Sequence, residues 1–203
     1  MAERGRPRAF DREQALRRAM TLFWTRGYEG TSTADLTRAM GINKPSLYAA
    51  FGCKEALFRE AVALYDALEG TPVERALDEA PTARAAIENA LRANLGAYAD
   101  PEKPAGCMIV LSGLLGTPES AEVRRFLADL RRAGEEAFRR RVERGITDGD
   151  VPAGADARAV AAFYTTVLQG LSVQARDGAP QATLEAVVDG AMAAWDAVAG
   201  GAG

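Results

Sequence analysis

The 203-residue sequence predicts an all-α fold, in which a small N-terminal unit of three helices precedes a larger helical region. Apolar residues recur every three or four positions through most of the chain, as they do on one face of a helix. Ser, Asp, Asn and Pro stand before these periodic segments and Gly follows many of them, which is typical of helix ends. This length suits one small and one larger domain, which we place at residues 1–54 and 55–203.

The first helix is predicted to begin after Asp11. This residue and Gln14, three positions later, resemble a capping box, in which side chains satisfy free backbone N–H groups. The apolar residues that follow keep helical spacing up to Gly27; they are Leu16, Met20, Phe23 and Trp24. A three-helix unit of roughly 55 residues with so few large apolar side chains is expected to be only marginally stable alone.

Two short helices are predicted next, separated by a tight turn. Ser32 or Thr33 is expected to cap the first of them, and Gly41 to end it with a left-handed backbone conformation. Asn43 is expected to cap the second, with Pro45 in its first turn, where a missing N–H is tolerated. The side chains predicted to be buried between the two helices are Leu36, Met40, Ile42, Leu47 and Phe51.

This burial turns the beginning of the second short helix toward solvent. The side chains left there are Lys44, Pro45, Ser46, Tyr48 and Ala49. In a helix-turn-helix, this part of the second helix enters the major groove of DNA. We therefore predict a helix-turn-helix domain that binds double-stranded DNA.

The charge distribution supports this prediction. Residues 1–54 hold 10 Lys and Arg against 5 Asp and Glu, a net charge of +5, whereas the remainder carries −8. A basic end on an acidic body favours nucleic-acid binding, although a charged surface without such a partner remains the alternative for charge alone. Arg4, Arg6 and Arg8 suit contacts with phosphates or a narrow minor groove. The alternative for this arm is a solubilising tail.

Residues 10–58 resemble the amino-terminal domain of the tetracycline-repressor (TetR/AcrR) family. The positions that carry the resemblance stand at fixed spacing; they are Gly27, Tyr28, Thr31, Gly41, Leu47, Tyr48, Phe51 and Lys54. The resemblance implies a bacterial-type homodimeric transcriptional repressor that binds a palindromic operator. It also implies that the residues facing DNA are Thr33, Lys44, Pro45, Ser46, Tyr48 and Lys54. Tyr48 and Lys54 would contact phosphates, and Lys44 and Pro45 would face base edges.

The sequence departs from the family pattern at three positions. Ala49 and Ala50 stand where many members have an aromatic residue or His, and Ala34 stands where some have a base-reading Arg. The polar surface that could read bases is therefore smaller. Ala49 suits contact with a thymine methyl group, or it is simply a good helix former.

The rest of the chain is also predicted to be helical. The helix begun at Lys54 should run to an interruption at residues 70–72, and a second helix should run from Pro81 to Asp100. The apolar run from Cys107 to Leu115 is a buried helix or a strand, and is too short to span a bilayer. The last three helices are expected at residues 118–145, 156–177 and 182–198.

The resemblance implies that this second domain binds an effector and dimerises. A small molecule in its pocket would release DNA by changing the separation of the two recognition helices. Candidate lining residues, each of which is alternatively ordinary core, are Tyr98, Cys107, Met108, Leu111, Leu114, Phe126, Phe163, Tyr164 and Leu168. Such a pocket suits a largely apolar ligand. The implied dimer interface lies in the last two helices, at Phe163, Val167, Leu171, Val188, Met192 and Trp195.

Enzymatic activity, a cofactor and a metal site are not expected. The chain has no His, the two Cys residues are far apart, and no phosphate-binding or dinucleotide-binding motif is present. The neighbouring carboxylates Glu135 and Glu136 fit a solvated helix face better than an acid and base pair. No secretory segment or membrane association is expected either, which favours the cytoplasm.

Two other interpretations remain open from the sequence. Cys53 precedes Lys54 at a predicted helix start, where the helix N-terminus and the cation both favour a thiolate. Its oxidation could block the phosphate contact of Lys54, which would make the chain a redox-responsive regulator. The second alternative is a helical protein-interaction module that does not bind DNA.

Overall fold

The computed structural model describes residues 10–98, 100–114 and 116–200. Within these ranges the secondary structure is helical, without strands, which confirms the predicted all-α class. The predicted contacts of Arg4, Arg6 and Arg8 lie outside the described residues. The helices are α1 (Arg12–Arg26), α2 (Thr33–Met40), α3 (Lys44–Phe51), α4 (Lys54–Tyr65), α5 (Thr71–Glu79), α6 (Ala83–Tyr98), α7 (Met108–Leu111), α8 (Ala121–Asp148), α9 (Ala157–Arg176), α10 (Gln181–Ala193) and α11 (Trp195–Ala199).

The N-terminal helices α1 to α4 surround one apolar core. Its large buried side chains from these helices include Phe23, Trp24, Leu36, Leu47, Phe51, Leu57 and Phe58. Met108 of α7 and Val123 and Leu127 of α8 complete the same core. The apolar face of α4 belongs to this core down to Tyr65, so N-terminal packing continues past the boundary placed at residue 54.

A second core lies between α5, α6, α8, α9, α10 and α11. Ile87 and Leu91 of α6 and Tyr164 of α9 are fully buried in it. The Tyr164 hydroxyl donates a hydrogen bond to the Ala191 carbonyl, 3.1 Å away, and its ring lies 5.5 Å from that of Trp195. This core joins α9 and α10 to the rest of the domain. Within the described ranges, no helix is long and apolar enough to cross a membrane.

The chain between α4 and α6 differs from the predicted interruption. Asp66–Gly70 forms a π-helical turn, and α5 continues directly from it to Glu79. Pro72 is the second residue of α5 and follows the π-helical turn, so the N–H that proline lacks falls where the helical hydrogen-bond pattern already changes. α5 is therefore a helix that the sequence did not predict, and a π-helical turn stands where a break was expected.

The apolar run at residues 107–115 also differs from prediction. Its helix, α7, spans only four residues, and the chain turns at Ser112 and Gly113. Leu114 is 55% exposed, so a continuous buried helix is wrong for this segment. The last predicted helix is likewise divided, because α10 ends at Ala193 and α11 begins at Trp195.

Candidate DNA interface and effector cavity

The two helices of the predicted helix-turn-helix begin and end at the expected residues. Ser32, rather than Thr33, caps α2, and it forms a capping box with Asp35. The hydrogen bonds from Ser32 lower the pKa of the Asp35 carboxyl, with a smaller contribution from nearby arginines. Gly41 ends α2 with φ 69° and ψ 30°, a left-handed conformation that glycine adopts without strain.

The second helix, α3, presents its first turn to solvent. Asn43 caps it by accepting a hydrogen bond from the Ser46 N–H, with 2.8 Å between the nitrogen and Oδ1. Leu47 and Phe51 are buried on its inner face. The predicted DNA-facing residues of α3 all keep solvent access: Lys44, Pro45, Tyr48 and Ala49 are exposed and Ser46 is half-buried. The surface required for major-groove entry is therefore open.

The two lysines of the candidate interface have different surroundings. The Lys44 ammonium is exposed and lies 5.8 Å from the ring centre of Tyr48. The Lys54 ammonium lies 4.1 Å from the ring centre of Tyr28 and is half-buried. Partial burial lowers the pKa of Lys54, and the carboxylate of Glu29 opposes that shift. Lys54 is thus held against Tyr28 at the start of α4, whereas Lys44 is more open to solvent.

Arg12 is a positioning residue that the sequence analysis missed. Its guanidinium lies 4.4 Å from the ring centre of Phe51, donates to the Ala50 carbonyl at 3.3 Å, and pairs with Glu60 at 2.8 Å. It therefore joins the end of α3 to α1 and α4. No local pattern signals this role, because Ala50 is 38 residues away along the chain.

The second domain contains a cavity of about 380 Å³. The π-helical turn and α4 to α9 surround it, with an apolar wall that includes Val73, Leu77, Ile109, Val110, Leu130 and Phe138. Its polar lining includes the carboxylates of Asp66, Glu69, Glu74 and Glu135 and the guanidinium groups of Arg131 and Arg140. The wall is thus more charged than the sequence analysis anticipated.

Only part of the predicted lining reaches this cavity. Cys107 and Leu168 line it. The others lie elsewhere: Tyr98 and Tyr164 are buried in the C-terminal core, Met108 and Phe126 pack on the N-terminal core, Leu111 is half-buried, and Leu114 and Phe163 are exposed. The periodicity of the sequence identified the apolar faces of the helices. It did not show which of these faces pack together and which of them enclose a cavity.

The two cysteines also differ in their surroundings. Cys53 is exposed, and its sulfur accepts a hydrogen bond from the Ala56 N–H at 3.4 Å, which makes it the cap of α4. Burial raises the pKa of the Cys107 thiol, although the neighbouring Tyr65 hydroxyl opposes the shift. The prediction that Cys53 starts a helix is confirmed; its redox role stays a prediction.

An apolar strip on α9 and α10 faces outward. Phe163 is 38% exposed, Val187 is 43% exposed, and Val173 lies further along α9. The helical glycines Gly170 and Gly190 have open space where a side chain would stand. Among the residues predicted for a dimer interface, Phe163 is exposed and Val167 half-buried, whereas Leu171, Val188, Met192 and Trp195 are buried within the chain's own core.

Comparison with known proteins identifies the family. A family model described as "Bacterial regulatory proteins, tetR family" matches residues 15–61. The HTH-type transcriptional repressor ComR of Escherichia coli (strain K12) is 32% identical over 193 residues, which cover 95% of this chain and 92% of that protein. The chain belongs to the TetR family. It is therefore a DNA-binding transcriptional repressor and not an enzyme.

Two further relatives extend this comparison. The HTH-type transcriptional repressor BdcR of Escherichia coli (strain K12) is 34% identical over 175 residues, 86% of this chain and 83% of that protein. A cysteine mutant of the TetR family transcriptional regulator CifR, solved in complex with 26-base-pair operator DNA, is 52% identical. The two structures agree with a TM-score of 0.91 over 94% of this chain and 100% of that one.

Proposed function

We propose that the protein acts as a homodimer that binds a palindromic operator through α3 of each protomer and leaves it when a small molecule occupies the cavity. The observation that carries the DNA-binding part is the open first turn of α3, capped by Asn43 and flanked by two lysines. The CifR mutant bound to operator DNA supports it, because that structure has the same fold. A repressor of this kind works where the chromosome lies, so we assign it to the cytoplasm.

The residues of the proposed interface fall into two groups, one suited to base edges and the other to phosphates. Lys44 and Pro45 begin α3 and are exposed, which suits contact with base edges. Tyr48 and Lys54 lie farther from the start of α3, and Lys54 is fixed against Tyr28, which suits contact with phosphates. Thr33, at the start of α2, and Ser46 are half-buried and would add contacts through their hydroxyl groups.

The outward strip on α9 and α10 supports the dimer. Exposed apolar side chains beside helical glycines allow two helix pairs to approach closely and bury the strip. A four-helix interface with a second copy of the chain would then hold the two recognition helices at a fixed separation. Helix-turn-helix dimers need about 34–36 Å between half-site centres.

The cavity supports effector binding. Its volume of about 380 Å³ lies within the range of small-molecule sites, and its inner wall is largely apolar. The carboxylates on the wall suit a ligand that carries a polar or basic group on an apolar body. About 3 kcal/mol of coupling between ligand and DNA would weaken operator binding roughly 150-fold.

Alanine variants of the two lysines test the DNA interface. Lys54→Ala should weaken binding to all duplexes and reduce the slope of log affinity against log salt by about one unit per lost phosphate contact. Lys44→Ala should instead change the order of preference among duplexes. Quantitative binding to a set of single-base operator variants would show the difference. Equal losses on every duplex for both variants would contradict the role given to Lys44.

Switching through Cys53 is the second candidate, and its exposed sulfur at the start of α4 favours it. Mild peroxide should then release DNA from the wild type but not from Cys53→Ser, which keeps a capping oxygen. Unchanged binding by both proteins would remove this candidate. Family membership already rules out the helical interaction module that does not bind DNA.

A further inference from the structure

Residues 105–112, here called the joint segment, lie between the effector cavity and the DNA-binding domain. Cys107, Ile109 and Val110 of this segment form part of the cavity wall. Met108, between them, points the other way and is fully buried in the N-terminal core. One short stretch of chain therefore contacts both functional regions of the protein.

The joint segment is hydrogen-bonded to the end of α1. The Trp24 indole N–H donates to the Gly106 carbonyl at 2.7 Å, in a buried position. The backbone N–H of Tyr28 donates to the Ser112 carbonyl at 3.0 Å, and the Ser112 hydroxyl donates to the Phe23 carbonyl at 3.3 Å. These three bonds hold the last turn of α1 against the segment.

Arg176, the last residue of α9, closes this arrangement. Its guanidinium donates hydrogen bonds to three backbone carbonyls: Ala105 at 2.8 Å, Trp24 at 2.8 Å and Thr25 at 3.0 Å. Burial lowers the pKa of Arg176. The carbonyls at a helix C-terminus carry partial negative charge, so the cation also matches the end of α1. The planar fork of arginine can bind several carbonyls in one fixed geometry, which the single ammonium of lysine cannot do.

The joint segment is also packed tightly on α9. The Cys107 N–H donates to the Ser172 hydroxyl at 2.7 Å, one turn before Arg176. Gly106 has φ +76°, and a Cβ atom there would lie 2.6 Å from the Ser172 carbonyl oxygen. A contact this close leaves no room for a side chain, so the joint segment packs directly on α9, and its hydrogen bonds connect it to α1.

We propose that Arg176 is a positioning residue for operator binding: it fixes the end of α1 on α9 and thereby sets the separation of the two recognition helices. This inference rests on the proposed dimer through α9 and α10. Because α1 packs on α2 and α4, fixing α1 fixes the helix-turn-helix relative to the dimer axis. A ligand in the cavity would then act on DNA binding by displacing the joint segment.

The test measures how strictly the dimer requires one half-site spacing. The probe is the duplex that the wild-type full-length protein selects from a random library, together with versions carrying one or two base pairs added to or removed from its centre. The wild type should bind the selected spacing best and lose affinity steeply at the others. Arg176→Lys keeps the charge but loses the fork. It should bind the selected duplex about tenfold more weakly and discriminate at least threefold less among the spacings.

Two companion variants separate positioning from general stability. Trp24→Phe keeps an aromatic ring but removes the N–H that binds Gly106, and it should relax the spacing requirement in the same way. Arg144→Lys is the matched control, because Arg144 donates to the Leu77 and Asp78 carbonyls at 2.7 Å and 3.2 Å, away from the joint segment. It should leave the spacing profile unchanged even if it lowers the melting temperature.

The possible results are distinct. A wild-type spacing profile in Arg176→Lys would overturn the inference, even with a uniform loss of affinity, and so would an equal relaxation in Arg144→Lys. If the wild type selects no palindromic duplex, the proposed function fails and the inference falls with it. Sedimentation should show dimers for all variants, since none of the three altered side chains belongs to the outward strip.

Discussion

Asn43 allows the stability of the recognition helix to be separated from its contact with DNA. Its side chain caps α3 by accepting the Ser46 N–H at 2.8 Å. Asn43→Ala removes this bond, which typically costs about 0.5–2 kcal/mol. For a chain of this size, each kcal/mol lowers the melting temperature by about 2–4 °C. Asn43→Asp keeps an equivalent capping oxygen, so its melting temperature should stay near that of the wild type.

The two variants should rank in the opposite order for DNA affinity, with Asn43→Asp binding more weakly than Asn43→Ala. An aspartate at this position adds a negative charge to the start of each recognition helix, which the proposed interface brings into the major groove of the polyanionic duplex. One pair of like charges about 4 Å apart costs about 1 kcal/mol in water, so two half-sites give about 2 kcal/mol, or roughly 30-fold weaker binding. Asn43→Ala adds no charge and should lose less affinity. The deficit of Asn43→Asp should shrink as salt rises.

Thermal unfolding and titration of a labelled duplex at two salt concentrations provide both measurements. If Asn43→Asp bound DNA as tightly as the wild type at low salt, the start of α3 would not approach the DNA. If it melted as early as Asn43→Ala, the hydrogen bond to the Asn43 oxygen would not be what stabilises α3.

Four other variants test the fold and the assembly. Gly134→Ala should raise the free energy of unfolding by up to about 1 kcal/mol, because Gly134 is helical and its Cβ would meet nothing within 4 Å. Gly145→Ala in the same helix should lower it by about 1–3 kcal/mol, since its Cβ would lie 2.7 Å from a neighbouring side-chain carbon; chemical denaturation compares the two. Val187→Glu should give monomers in sedimentation equilibrium, and a stable dimer would place the interface elsewhere. The pKa of Asp35 is lowered by hydrogen bonds from Ser32. The stabilisation of α2 by this carboxylate should therefore be present above the usual carboxyl pKa of about 4 and be lost as pH falls further. In Asp35→Asn, the melting temperature should fall less between neutral and acidic pH than it does in the wild type.

The sequence predicted the DNA-binding helices well because their ends are determined locally. A cap residue acts on N–H groups two or three positions away, and a left-handed glycine ends its own helix, so Ser32, Gly41 and Asn43 could be recognised in the sequence alone. Pro72 shows the limit of such signals. A proline usually interrupts a helix, but here a π-helical turn precedes it and α5 packs on α6, so the chain stays helical.

The cavity and the joint segment could not be predicted in the same way. They depend on which faces of separate helices meet, and Arg176 binds Trp24 across 152 positions of the chain. Apolar residues at helical spacing predict that α9 and α10 have buried faces. This spacing does not show which face packs on the chain's own core: of the residues predicted for the interface, Leu171 and Val188 lie in that core, whereas Phe163 is exposed.

The shared N-terminal core limits how this protein could be rebuilt. Met108, Val123 and Leu127 supply part of the packing beneath the helix-turn-helix, although they lie far along the chain from it. A chimera that joins only residues 10–65 to a relative's effector domain would replace these three side chains with those of the relative. The N-terminal core would then be packed by residues that did not evolve with it. Exchange of operator specificity between relatives can therefore follow two designs. In one, the three supporting side chains are transferred together with residues 10–65; in the other, only the solvent-facing residues of α3 are exchanged.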